Sequence, residues 1–473
     1  MILPRSSLKA LSLRALPFAD AASEQLPLGQ LLRLSLFQVS VGMASVMLLG
    51  TLNRVMIVEL SVPAMIVAVM IALPVLVAPF RAFLGFRSDT YRSAIGWKRV
   101  PYLWFGSLWQ MGGLAVMPFA LLVLGGDPVH HVPFAGEVLA ACAFLMTGLG
   151  LHMTQTAGLA LAADRATEET RPRVVALLYV MFLVGMGVSA LLIGWLLRDF
   201  SELLLVRVVQ GAALVGLLLN LVALWKQEHV QPMSKAARLA PRPEFRQAWG
   251  ELSEGTRIGR LLFVVFFGTM AFNMQDVLLE PYGGEILGLS VSSTTLLTAM
   301  WAVGALAGFA YAGRRLGQGS SPYRLAATGC IAGLAAFSSV IFSGPLNSPV
   351  LFFIGAGLIG FGGGLFAVAT LMAAMTLPVN GMRGLALGSW GAAQATAAGL
   401  SIAIGGMVRD LVNTQALSGA WGEALMSPTT GYSVVYHTEI ALIFLTLIAL
   451  GPLVARSQAS PQPDRIGLAD FPT

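Results

Sequence analysis

The stretch FLGFRSDTYRSAIGWKRVPYLWFG, Phe83–Gly106, lies between two long apolar runs of a 473-residue chain and decides the fold. It contains one acid, Asp89, surrounded by several basic residues: Arg87, Arg92, Lys98 and Arg99. Charge of this density is costly inside hydrocarbon. The stretch is therefore predicted to be a loop that joins two membrane-spanning helices.

Apolar residues dominate the whole chain, since 56% are hydrophobic and 11% are charged. A soluble domain carries roughly 25% charge. The sequence contains twelve segments that each cover the roughly 20 apolar residues needed to cross a bilayer. Twelve spans place both termini on one side, and no signal peptide is apparent at the N-terminus. The predicted spans are 33–57, 62–84, 101–124, 136–162, 173–197, 204–225, 259–281, 292–312, 323–343, 349–375, 384–408 and 433–455.

Basic residues are distributed asymmetrically over the predicted loops. Of the 29 Lys and Arg residues, those expected opposite the termini are only Arg54, Arg198, Arg207 and Arg409. The positive-inside rule therefore places both termini and the basic loops in the cytoplasm. The net charge of +6 then reflects topology and attraction to anionic lipid, and it does not indicate nucleic-acid binding.

Motifs of enzymes and metal sites are missing from the sequence. It has no Walker A loop, no HExxH and no GxSxG elbow, so we expect no enzyme activity. Cys142 and Cys330 both fall inside predicted helices, where we expect them to pack as small apolar residues.

The chain divides into two similar halves, because a polar segment separates six spans from six. Arg173 and Ala176 near the start of the fifth span correspond to Arg383 and Ala386 near the start of the eleventh. Parallel six-span repeats are typical of the major facilitator superfamily. We therefore predict an all-α integral membrane protein with twelve transmembrane helices in two pseudo-symmetric six-helix bundles. The predicted segments are a cytoplasmic N-terminal segment (1–32), the first bundle (33–225), a cytoplasmic linker (226–258), the second bundle (259–455) and a cytoplasmic tail (456–473).

The loop after the second span matches the Gly-x-x-x-Asp pattern, with basic residues following, that the superfamily carries at this position. A carboxylate at a helix end accepts hydrogen bonds from Arg and from the N-terminus of a neighbouring helix. We expect such a network to latch the two halves together; the alternative is a plain topology signal, which would not require Asp89. The residues predicted to form the latch are Gly85, Asp89, Lys98, Arg99, Asp164 and Arg173.

A second polar group is predicted on the side opposite the termini. The first span ends with Asn53, Arg54 and Glu59, and the seventh carries Asn273, Asp276 and Glu280. The i, i+3, i+7 spacing of the latter three predicts one shared helix face, with a break at Pro281. We expect Arg54 to pair with Asp276 or Glu280 across the halves. Separate solvated helix ends and a proton-coupling carboxylate remain the alternatives.

His152 lies near the middle of the fourth span, about 18 Å from its cytoplasmic end at 1.5 Å per residue. Gln155 follows on the same helix face. A neutral imidazole at this depth either ligates a metal, such as the magnesium of a tetrapyrrole, or donates a hydrogen bond to a neighbouring helix. Gly360 and Gly364 either let helices approach closely or seat a flat ligand.

Four long stretches resemble the PucC/LhaA family of purple phototrophic bacteria, the bacteriochlorophyll delivery branch of the major facilitator superfamily. The resemblance extends over about residues 15–455. The stretches that carry it are RLSLFQVSVGMASVMLLGTLNRVMIVEL (33–60), APFRAFLGFRSDTYRSAIGWKRVPYLWFG (78–106), HMTQTAGLALAADRATEETRPRVVALLYVMFLVGM (152–186) and FNMQDVLLEPYGGEILGLS (272–290).

The resemblance implies a role in assembling light-harvesting complexes, in particular the core antenna (light-harvesting 1). The implied cargo is bacteriochlorophyll a, handed to newly inserted antenna α and β polypeptides, with a carotenoid as a second pigment. The implied partners are those polypeptides, the bacteriochlorophyll synthase, the membrane insertase, the reaction centre and the lipid of the cytoplasmic or intracytoplasmic membrane.

Pigment handling of this kind would place the flat ring against the fourth, fifth and eleventh spans, with His152 as the axial ligand. Two other functions remain open. One is a secondary transporter for a small solute that couples protons through Asp276 or Glu280. The other is a pigment-free scaffold that holds antenna helices through small-residue faces.

Overall fold

A computed structural model describes most of the chain. The described residues are 21–23, 26–60, 62, 64–93, 95–124, 134–228, 230, 232–234, 243–289, 291–378 and 381–458.

Twelve helices in the described residues are long and apolar enough to cross a membrane, and the predicted fold class is confirmed. All twelve overlap the predicted spans. The first begins at Leu28, directly after Pro27, and the eleventh continues nine residues beyond its predicted end. Spans 1 to 12 are Leu28–Thr51, Val69–Asp89, Val100–Leu124, Ala135–Arg165, Arg171–Leu196, Glu202–Leu224, Ile258–Glu285, Leu296–Gly317, Pro322–Ser343, Pro349–Met375, Arg383–Leu417 and Thr429–Ala455.

The two bundles are built in the same way. Span 3 packs on span 4 in the first bundle, and span 9 packs on span 10 in the second. The bundles meet along two interfaces, span 2 with span 11 and span 5 with span 8, which we call the 2–11 seam and the 5–8 seam. A pseudo-two-fold axis that exchanges the bundles also exchanges these two seams. Because twelve spans return the chain to the face where it began, we call that face the terminal side.

An amphipathic helix, Phe245–Gly255, lies within the segment predicted as a linker. Its Ala248 and Leu252 are buried against Phe86 of span 2 and Leu385 of span 11. The ring of Phe245 meets the ring of Phe86 edge-on, with centroids 5.4 Å apart. The linker therefore covers the 2–11 seam with apolar side chains and is more than a polar tether.

Two spans are interrupted, and both interruptions position polar groups. Span 2 is formed by the second part of the helix Ala64–Leu76 and by the helix Phe80–Asp89. Between them the N–H of Ala78 donates to the carbonyl of Val75, so it does not donate to Pro74 in the usual helical pattern. Span 7 changes to a 3₁₀ turn over Met274–Val277 and resumes as Leu279–Glu285. Each break releases main-chain groups that side chains from other spans engage.

Candidate functional site

A buried carboxylate joins the two bundles at the terminal side. Asp89 is the last residue of span 2, and its side chain is 1% exposed. It accepts hydrogen bonds from the main-chain N–H of Gly384, at 2.9 Å, and of Leu385, at 2.7 Å. Both N–H groups belong to the first turn of span 11, where the helix dipole favours a negative charge. The first bundle thus caps a helix of the second, as expected of a latch.

Arg99 completes this arrangement from the start of span 3. Its guanidinium is paired with Asp89, donates to the Ser88 hydroxyl, and bonds Asp164 Oδ2 at 3.0 Å. Burial lowers the pKa of Arg99, but the two carboxylates more than offset this, so its pKa lies above the ordinary value. Asp164 also forms an ion pair with Arg383 of the second bundle, with 3.5 Å between Asp164 Oδ1 and Arg383 Nη1. The latch is therefore a chain of alternating charges across the 2–11 seam.

Gly85 allows the two helices of this seam to touch. A Cβ added there would collide with the main-chain carbonyl of Gly384. The first glycine of the Gly-x-x-x-Asp pattern therefore brings span 2 close enough to span 11 for Asp89 to reach the helix N-terminus. The glycine and the acid act as one unit.

The remaining predicted latch residues have different positions. Lys98 contributes its main-chain N–H, which donates to the Glu228 carboxylate at 3.1 Å, and it lines a cavity of about 330 Å³ beside Asp164 and Arg383. Arg173 lies at the 5–8 seam, where its guanidinium faces Gly317 of the second bundle. Its membership of the latch around Asp89 stays a prediction.

His152 is buried, with 6% exposure, and its Nε2–H donates to the carbonyl of Pro74 at 2.9 Å. This is the carbonyl that the break in span 2 leaves without its helical partner. The other ring nitrogen, Nδ1, is also buried and has no partner among the described residues. A pigment's metal needs an exposed lone pair with open space in front of it. The arrangement is the one expected of a histidine hydrogen-bonded to a neighbouring helix, and His152 does not fit as an axial ligand in this conformation.

The two glycines assigned to the pigment site face a neighbouring helix. Gly360 faces the main-chain carbonyl of Trp301, and Gly364 faces Ala305. The backbone of span 8 occupies the space that a side chain would take at either glycine. Both glycines therefore allow close helix packing, which was the alternative to seating a flat ligand. Gln155 is half-buried on span 4.

The polar residues of span 7 were predicted to share one helix face. They do not, because the 3₁₀ turn separates them. The amide of Asn273 donates to its own helix, at Thr269. Asp276 accepts from Gln275 at 2.8 Å, and Glu280 accepts from the Thr298 hydroxyl at 2.9 Å.

The break in span 7 comes before Pro281. This proline lies in the first turn of the resumed helix, where an N–H is not needed. On span 1, Asn53 is half-buried and Glu59 is exposed, while the side chain of Arg54 lies outside the described residues. The predicted pairing of Arg54 with Asp276 or Glu280 stays a prediction.

Among the buried charged residues that were not predicted as site residues, two lie well inside the spans. Glu439 of span 12 is fully buried, and it accepts the N–H of Gln275 at 2.8 Å, at the break of span 7. Arg81 of span 2 is 1% exposed and donates to Thr156 at 3.1 Å. Each keeps one polar atom without a partner among the described residues. Both lie inside predicted spans, so a search for every charge at membrane depth would have found them.

The sequence of the chain is similar to that of several known proteins. A family model described as PUCC protein matches residues 51–458. A Rhodobacter capsulatus protein, described as an uncharacterized protein in the puhA-bchM intergenic region, is 64% identical over all of both chains. Protein PucC of Rhodovulum sulfidophilum is 54% identical over 84% of this chain and 89% of its own length. The Bacteriochlorophyll synthase 44.5 kDa chain of Rhodobacter capsulatus is 28% identical over 91% of this chain and 96% of its own length.

Among solved structures, the proton:xylose symporter XylE of the major facilitator superfamily superposes with a TM-score of 0.64 at 15% identity. It covers 90% of this chain and 95% of its own. This structural similarity shows the fold alone. The family model over residues 51–458 and the 54% identity with Protein PucC show that the chain belongs to the PucC family.

Proposed function

We propose that this protein is an assembly factor for light-harvesting complexes, with the core antenna as its client. In this role it handles bacteriochlorophyll within the membrane and passes it to antenna α and β polypeptides. The observation that carries the proposal is the PucC family match over residues 51–458. The name of one relative, the Bacteriochlorophyll synthase 44.5 kDa chain of Rhodobacter capsulatus, supports a link to this pigment.

Several structural features favour handling the pigment at the outer faces of the helices. The terminal side is closed by the latch and by the linker helix. His152, the imidazole at mid-depth, is buried and hydrogen-bonded. A flat, apolar pigment dissolves in the hydrocarbon beside the protein and needs no aqueous passage between the bundles. Binding at the lipid-facing surface of the helices therefore suits both the pigment and the fold. This role requires no enzymatic step.

The charge asymmetry of the loops supports a bacterial cytoplasmic or intracytoplasmic membrane, with both termini and the latch on the cytoplasmic side. The proposed partners are then the antenna polypeptides, the bacteriochlorophyll synthase, the insertase and the reaction centre. All would be met within or at the surface of this membrane, and a carotenoid is a second proposed cargo.

Proton-coupled transport of a small solute is the second candidate, and one observation favours it. The buried carboxylate of Glu439 meets the break of span 7 next to Asp276. Buried carboxylates at a broken helix are a common feature of secondary transporters. Uptake of a solute into proteoliposomes that depends on a pH gradient and is abolished by Glu439→Gln would support this alternative.

A deletion strain that retains the antenna genes tests the assembly role. We expect the near-infrared absorbance of the core antenna to fall on deletion and to return when the wild-type gene is restored, while total bacteriochlorophyll synthesis continues. Unchanged core-antenna absorbance in the deletion strain would contradict the proposal. Recovery of antenna polypeptides on the tagged protein from a strain that makes no pigment would favour a scaffold over a pigment carrier.

A further inference from the structure

A groove of about 680 Å³ lies on the outer surface of span 12, on the side opposite the termini. The short 3₁₀ helix Glu423–Leu425 forms one part of its wall, and span 12 forms the other. Thr430, Val434, His437 and Ala441 are spaced by four, three and four residues, so they form one stripe along the helix. Ligand pockets typically have volumes of about 300–1,000 Å³, and the groove lies within this range.

The geometry of His437 identifies which ring nitrogen carries a lone pair. Nδ1 lies 2.7 Å from the main-chain carbonyl of Ser433, one turn earlier. A carbonyl only accepts, so Nδ1 carries the hydrogen and donates it. In the neutral imidazole the lone pair is then on Nε2. Because His437 is exposed and lines the groove, this lone pair is accessible from outside the protein.

Two of the hydroxyl groups around the groove are engaged in hydrogen bonds to the main chain. The hydroxyl of Thr430 donates to Leu425, and that of Thr438 donates to Val434. These hydrogen bonds direct both hydroxyls to the main chain. Nε2 of His437 is therefore the strongest ligand atom that the groove presents.

The stripe containing His437 faces away from the bundle. The buried residues Tyr436, Glu439 and Ile443 mark the opposite face of span 12, which packs on the rest of the second bundle. His437 lies eight residues, or about 12 Å, from the start of the span. A helix of about 40 Å extends about 5 Å beyond each side of a hydrocarbon core of about 30 Å. The imidazole is therefore expected just inside the hydrocarbon, facing lipid, where a polar side chain is costly unless a ligand engages it.

The surroundings of His437 restrict the class of ligand. The described residues contain no group of three or more His, Cys, Asp or Glu side chains that would hold a free metal ion. A metal already held by four nitrogen atoms of a tetrapyrrole needs only one more ligand. Five of the ten residues that line the groove are Ser or Thr, and the apolar side chains of Leu425, Val434 and Ala441 provide the surface for the face of such a ring.

We infer that His437 is the axial ligand of a magnesium-containing bacteriochlorin that lies in this groove. The Nε2 lone pair forms a coordinate bond to the metal and displaces a water molecule from its axial position, while Nδ1 keeps its hydrogen bond to Ser433. This inference rests on the proposed function and adds the site, the ligand atom and the leaflet. It moves the pigment from His152, whose ring is buried and hydrogen-bonded to Pro74, to the outer surface of span 12.

Titration of the purified full-length protein with bacteriochlorophyll a and with its metal-free analogue tests the site. Absorption spectroscopy provides the readout, because the visible band of the pigment reports whether its magnesium has an axial ligand. The variants are His437→Ala, His437→Gln and, as a matched histidine control, His152→Ala. Melting temperatures establish that each variant is folded.

We expect the wild type and His152→Ala to bind bacteriochlorophyll a with the spectrum of imidazole-ligated magnesium. Affinity should fall at least about tenfold in His437→Ala, and added imidazole should restore the ligated spectrum. The metal-free analogue should bind equally weakly to all proteins. Binding to the wild type that is unchanged in both His437 variants would overturn the site and leave the proposed function intact. A groove occupied by copurified lipid, with pigment bound elsewhere, would also overturn it. A wild type that binds no bacteriochlorin would contradict the proposed function itself.

Discussion

The carboxylate of Asp89, at the end of span 2, accepts a hydrogen bond from the main-chain N–H of Gly384, at the start of span 11. These residues are 295 positions apart in the chain and belong to different bundles. The contact fixes the distance between the bundles at the terminal side, and Arg99 neutralises the buried charge. Loss of any part of this arrangement should loosen one particular seam.

Removing the charge of Asp89 should destabilise the protein. Asp89→Asn leaves the buried Arg99 with Asp164 as its remaining carboxylate partner, and breaking a buried ion pair from one side costs up to about 3–5 kcal/mol. Asp199→Asn provides the control, since the Arg198–Asp199 pair is exposed and spans 3.6 Å. Thermal unfolding in detergent should show a clear decrease in melting temperature for Asp89→Asn and little change for Asp199→Asn. Equal melting temperatures would mean that the latch contributes no stability.

Adding a methyl group at Gly85 should separate span 2 from span 11, because the new Cβ collides with the carbonyl of Gly384. Gly187→Ala in span 5 is the matched control, since an added Cβ there meets open space. A cysteine in place of buried Leu385, in a Cys142→Ser background, reports on the seam through maleimide labelling. Labelling should be slow in the parent and in Gly187→Ala and several-fold faster in Gly85→Ala. Slow labelling in all three would refute the close-contact role of Gly85.

Replacing Glu439 should distinguish its hydrogen bond from its charge. A glutamine keeps an oxygen that accepts the N–H of Gln275, whereas an alanine leaves that buried donor unpaired at a cost of about 1–3 kcal/mol. We expect Glu439→Gln to unfold near the wild-type temperature and Glu439→Ala to unfold clearly lower. If the glutamine variant is as unstable as the alanine variant, the carboxylate itself is required for the fold.

We expect His152 to have a structural role and His437 to bind the pigment. His152→Ala removes the hydrogen bond to Pro74 and leaves a small void, so the melting temperature should fall while bound pigment is retained. His437→Ala, on an exposed surface, should retain the melting temperature and lose the pigment. Measuring both properties on both variants gives a crossed test, and a loss of pigment in His152→Ala with a normal melting temperature would reverse the assignment.

The sequence allowed prediction of the membrane fold and of the two-bundle division because both depend on the spacing of apolar runs and on charge asymmetry. It also predicted that Asp89 would meet Arg and a helix N-terminus. It did not show which helix this would be, because Gly384 comes close only after both bundles have formed. Arg383 was visible as the repeat partner of Arg173, but the two residues lie at different seams.

The errors in the predicted sites arise from local breaks that periodicity does not register. A uniform helix would place Asn273, Asp276 and Glu280 together, but the 3₁₀ turn separates them. The break in span 2 exposes the Pro74 carbonyl, and this determines that His152 donates a hydrogen bond. His437 lies near the start of the last span, but which of its ring nitrogens carries the lone pair is revealed only by the contact with Ser433.

The most direct test of pigment handling is the absorption spectrum, with pigment extraction, of the tagged protein purified from a bacteriochlorophyll-producing host that lacks antenna polypeptides. Near-infrared absorbance that comigrates with the protein, at a constant ratio of pigment to chain, is the result predicted here. A colourless protein from that host, folded and with the wild-type melting temperature, would contradict the claim that this chain carries bacteriochlorophyll.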